Sequence, residues 1–103
     1  MLTNSQIAAF NRDGYIPPFR VCEQEEVAGM RRKLEALEKD LGGTLSGPMR
    51  MKSHLYLKWL SDLVRNPAIV DPVEDLIGPN ILLWSADWWI KDPHSRKFVS
   101  WHQ

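Results

Sequence analysis

The chain has 103 residues, 25 % of them charged, and its thirteen Lys and Arg balance thirteen Asp and Glu. That balance leaves no basic excess to neutralise nucleic-acid phosphates and no acidic tail. One cysteine, Cys22, excludes an internal disulfide, and no apolar run approaches the roughly 20 residues a bilayer crossing needs. A soluble, cytoplasmic chain is therefore expected, with no signal peptide and neither a nucleic-acid nor a membrane partner. The length allows one small domain but falls short of the roughly 200–250 residues common for closed all-β domains.

The first element predicted is a short helix. Thr3 and Gln6 are spaced as a capping box, Ile7, Ala8 and Phe10 follow, and Gly14 stands where a C-cap belongs after Asp13. Tyr15 and Ile16 read as a brief extended segment halted by Pro17 and Pro18. From Glu23 to Leu41 the residues Val27, Met30, Leu34, Leu37 and Leu41 recur every three or four positions, which predicts a helix with one apolar stripe packed on a core. Glu23, Glu25 and Glu26 suit its N-terminus, Glu35 and Lys39 are spaced to pair, and Gly42-Gly43 supplies the stop.

The stretch TLSGPMRMK reads as a loop. Ser53 then caps a third helix that turns Leu57, Leu60, Leu63 and Val64 inward, with Trp59 at its margin and Asn66-Pro67 at its end. Pro72 would break a helix interior, so Asp71 is predicted as an N-cap, with Pro72 in the first turn of a new short helix closed by Gly78-Pro79. Beyond it, NILLWSADWWIK alternates as a strand. Leu82, Trp84, Ala86, Trp88 and Ile90 share one apolar face, and the opposite face turns polar at Ser85, Asp87 and Lys91. Asp92-Pro93 makes a turn, His94 lies in a polar loop facing water, and FVSWHQ begins a second strand.

On such a strand His102 shares a face with Ser100 and with whatever stands at position 104. A His-x-Asp on one strand joined by a distant histidine makes the facial triad that holds non-haem iron(II). By chemistry alone, a strand histidine is more often hydrogen-bonded in a core or exposed than a metal ligand.

The order of features resembles the phytanoyl-CoA dioxygenase family of non-haem iron(II), 2-oxoglutarate-dependent oxygenases. The resemblance rests on LTNSQIAAFNRDGYIPPF, the KSH segment before a helix, DLVRNPAIVDPVEDLIGPNILLWSADWWIKDP, and the closing WHQ. The family carries a His-x-Asp shortly after its Lys-x-Pro turn, usually with glutamine in the middle. His102 and Gln103 match its first two letters.

The resemblance implies an α+β fold, in which helices of residues 3–77 pack outside the first strands, 81–103, of a double-stranded β-helix, a jelly-roll, cupin-like barrel left incomplete in this chain. Residues 1–103 would be the N-terminal part of a single domain. It implies Fe(II) and 2-oxoglutarate as cofactors, O2 and a small organic or acyl molecule as substrates, and hydroxylation of an aliphatic C–H bond. His102 is the implied metal ligand. Lys52 and Asp87 are candidate contacts to 2-oxoglutarate, set against a solvated loop lysine and a variable strand position, and Lys91 is structural. No residue here inherits a catalytic role, and the chain alone should be inactive, its partner being the missing C-terminal part of the barrel. The residue after Gln103 would decide between hydroxylation and halogenation. The alternative is a small helical interaction module, without catalytic activity, whose Trp-rich strand adds to a partner's sheet edge.

Overall fold

The computed structural model describes residues 1–102. Four α-helices follow one another: α1 (Asn4–Asp13), α2 (Gln24–Leu41), α3 (Lys58–Leu63) and α4 (Pro67–Ile77). Two short 3₁₀ turns, Gly47–Arg50 and Ser53–Leu55, lie between α2 and α3.

The local signals set the ends of α1 and α2. The Thr3 hydroxyl accepts the Gln6 amide at 3.2 Å, and the Gln6 side chain accepts the Thr3 amide at 2.8 Å, so two otherwise orphaned donors of α1 are satisfied. Gly14 closes the helix at φ 80°, and Gly42 closes α2 at φ 74°, in the left-handed region where a Cβ is strained. In α2, Glu35 pairs with Arg31 at 2.7 Å rather than with Lys39. Both partners are exposed, so this bridge adds at most a few tenths of a kcal/mol. The stripe of α2 finds little to pack on. Met30, Leu34 and Leu37 are half-buried, whereas Val27 and Leu41 remain exposed.

Two helix starts differ from the sequence expectation. Ser53 does not cap α3. It is wholly buried at the start of a 3₁₀ turn, its hydroxyl donating to the Met49 carbonyl at 2.6 Å, and Leu57 stands at the N-cap of α3 instead. Nor does a new helix begin at Asp71. Asn66 accepts the Ala68 amide at 2.9 Å, Pro67 occupies the first turn, and α4 runs through Pro72 to Gly78. A side-chain cap with proline at N1 is a strong start signal. Here it wins, and Pro72 is carried inside the helix and buried. The Leu2 amide donates to the Asp75 carboxylate, which ties the N-terminus to α4.

The buried residues Leu45, Ser53, His54, Leu60 and Pro72 all fall between positions 45 and 72. Among the described residues, only Leu45 and Leu60 of the large apolar side chains are buried. The radius of gyration is 16.2 Å, against about 13 Å for a compact chain of this length. The excess belongs with an open arrangement rather than a closed core.

The expected α+β architecture is corrected here. Among the described residues there is no β-strand, no sheet and no barrel; residues 79–102 run as irregular chain. The physical reason lies in pairing. Alternation of apolar and polar side chains selects a face, but a strand exists only where its N–H and C=O groups meet another strand. Among the described residues, its backbone hydrogen bonds to the rest of the molecule are at residues 50–53. There the Trp88 amide donates to the Arg50 carbonyl at 3.0 Å, and the Ser53 amide donates to the Ala86 carbonyl at 3.3 Å. The face predicted to be core divides accordingly: Ala86, Trp88 and Ile90 are half-buried, whereas Leu82 and Trp84 stand in solvent. Gln103, the last residue of the expected second strand, lies outside the described residues.

Candidate functional site

The 50–53 turn and the 84–89 stretch together form the most structured polar cluster. Lys52 takes a left-handed backbone conformation, φ 52°, which aims its amide at Asp87. That amide donates to the Asp87 carboxylate at 2.9 Å, joining two residues 35 positions apart. The Ser85 hydroxyl donates to the same carboxylate oxygen. These donors, the hydroxyl first and the Lys52 amide second, hold the Asp87 carboxyl below its ordinary pKa against a small opposing loss of hydration. The charges of Arg50 and Lys52 act in the same direction.

Two cations cover two indoles beside this carboxylate. The Lys52 ammonium sits 4.4 Å from the centre of the Trp84 ring, and the Arg50 guanidinium 4.6 Å from that of Trp89. Trp88 meets Trp59 of α3, ring centres 6.0 Å apart and planes tilted by 53°. The turn is therefore tied to this stretch by backbone hydrogen bonds and by the two cation–indole contacts.

Beneath it lie two buried polar atoms without a protein partner, Nδ1 of His54 and Nε1 of Trp88. Leaving such a group unpaired costs about 1–3 kcal/mol. His54 was not a candidate at the sequence level, and neither was Arg50. Arg50 ends the 3₁₀ turn Gly47–Arg50, and its place over Trp89 follows from the meeting of that turn with residues 88–89, not from a pattern of neighbouring residues. Nothing in the sequence marks His54 as buried, because that follows from the fold of 49–57.

Of the three residues singled out from the sequence, Lys52 and Asp87 come together. Their mutual contact runs through the Lys52 backbone, while its ammonium is engaged with Trp84. His102 stands apart and exposed, its Nδ1 2.9 Å from the Ser100 carbonyl within its own segment. No group of three or more His, Cys, Asp or Glu side chains able to hold a metal exists among the described residues. The donor set present therefore does not fit an iron(II) centre, which needs at least a triad of such ligands.

No helix among the described residues is long and apolar enough to cross a membrane. Compared with known proteins, the chain matches no family model, no curated protein and no solved structure.

Proposed function

We propose that this chain is a contributing part of a cytoplasmic non-haem iron(II)- and 2-oxoglutarate-dependent oxygenase acting on a small organic or acyl substrate, and that it has no turnover of its own. What supports the reading, beyond the order of sequence motifs, is the juxtaposition of Lys52 with Asp87. These are the two candidate 2-oxoglutarate contacts that the resemblance suggests, and they lie 35 positions apart in the chain. The single imidazole of His102 cannot hold iron(II) by itself, so the remaining ligands would come from further polypeptide, contiguous or separate.

The deciding experiment is to read the gene beyond the Gln103 codon and assay the product of the whole frame. Succinate release that requires both iron(II) and 2-oxoglutarate, and that His102→Ala abolishes, is the expected result. A frame that continues with neither an aspartate nor a small residue at 104, and no later histidine, would defeat the enzyme reading.

A second reading has its own observation. Leu82, Trp84, Phe98, Val99 and Trp101 are all exposed, in a stretch whose backbone is largely unpaired. Extended chain with bare apolar side chains suits addition to a partner's sheet edge, which would satisfy both at once. A binding module of that kind melts cooperatively as a monomer in isolation. Aggregation of the isolated chain at micromolar concentration would count against it.

A further inference from the structure

Independently of the oxygenase reading, the 44–51 loop and the stretch 88–99 enclose a cleft of about 780 Å³. That size lies in the range of small-molecule sites, about 300–1,000 Å³. Its lining divides into two kinds of chemistry. Trp88, Trp89 and Phe98 present aromatic surface, and Leu45 is the most buried apolar residue of the chain. Arg50, Lys91 and Lys97 bring three positive charges, and Asp92 is the one carboxylate, so the lining carries three minus one, a net charge of +2. None of the three cations is engaged in an ion pair among the described residues. Arg50 is held by the Trp89 ring at 4.6 Å, and the two walls are tied where the Trp88 amide donates to the Arg50 carbonyl at 3.0 Å.

We infer that this cleft is a binding site for an amphipathic carboxylate, a molecule with one anionic head and an apolar body. The apolar body lies along the aromatic wall, where burial of each methylene contributes about 0.8 kcal/mol. The head lies among Arg50, Lys91 and Lys97, and the guanidinium can meet a carboxylate with two parallel hydrogen bonds. An uncharged molecule of the same shape forgoes the second interaction. A cationic one is repelled.

Isothermal titration of the intact chain with octanoate, octan-1-ol and octyltrimethylammonium tests this. Octanoate is expected to bind at least tenfold more tightly than octanol, the cation not at all, and raised salt to weaken octanoate. Arg50→Gln and Lys97→Gln should each weaken octanoate about fivefold, as loss of an exposed ion pair of roughly 1 kcal/mol implies. Arg50→Lys should restore most of the loss. Lys39→Gln, on α2 and outside the cleft, should change nothing. Far-UV circular dichroism confirms that each variant keeps its helices. Equal binding of octanol and octanoate would overturn the inference, since the exposed tryptophans alone would explain it. So would a loss in Lys39→Gln as large as that in Lys97→Gln, which would reduce the effect to net charge.

Discussion

Leu60 and Leu82 are the same residue type in opposite surroundings, and substituting each by alanine separates the observed fold from the barrel expected of the sequence. Leu60 in α3 retains 7 % of its exposure, whereas Leu82 retains 83 %. A barrel with Leu82 on its packed face makes both substitutions costly. In the observed structure only one is. Burying a leucine contributes about 1.5–3 kcal/mol, and deletion to alanine in tight cores costs about 2–5 kcal/mol, the upper end where the cavity cannot collapse. With Leu45 and Leu60 the only large apolar side chains buried among the described residues, the surroundings of Leu60 can relax. The low end, about 2 kcal/mol, is therefore expected for Leu60→Ala. With a urea dependence of about 1 kcal/mol/M for so small a chain, the unfolding midpoint followed by circular dichroism should fall by about 2 M. Leu82→Ala should leave the midpoint within about 0.3 M of the parent. A shift of similar size in both variants would refute the reasoning, because it would place Leu82 in a packed interior.

Three more outcomes follow from particular contacts. Asp87 has its carboxyl pKa depressed by the Ser85 hydroxyl and the Lys52 amide, so the clasp contributes above the ordinary carboxylate pKa and is lost as pH falls through the lower folded value. Protection of the Lys52 amide, measured against the intrinsic exchange rate at each pH, should thus fall only below about pH 4, and Asp87→Asn should remove that step in protection. Ser53→Ala deletes the bond to the Met49 carbonyl and leaves that oxygen unpaired, a loss of about 1–2 kcal/mol measurable by thermal melting. Gly42→Ala places a Cβ at φ 74°, where no neighbouring atom lies within 4 Å, so the cost is backbone strain alone, about 1 kcal/mol, read as fraying of the last turn of α2.

What the residues determined by themselves were the helix ends governed by nearest neighbours: the Thr3 and Gln6 box, the stops at Gly14, Gly42 and Gly78, and the turn at Asp92-Pro93. Each involves groups within four positions of one another, so no distant part of the chain is needed to satisfy them. Where two local start signals compete, at Asn66-Pro67 and Asp71-Pro72, the first prevails in the fold, and Ser53 is buried instead of capping a helix. Of the candidate site, the sequence named Lys52 and Asp87 separately. Only the tertiary structure joined them, set Arg50 and Lys52 over Trp89 and Trp84, and buried His54. Nor could alternation along 81–91 become a strand on its own account. A helix satisfies its backbone internally, while a strand must borrow donors and acceptors from elsewhere in space, and among the described residues those partners exist only at Arg50 to Ser53.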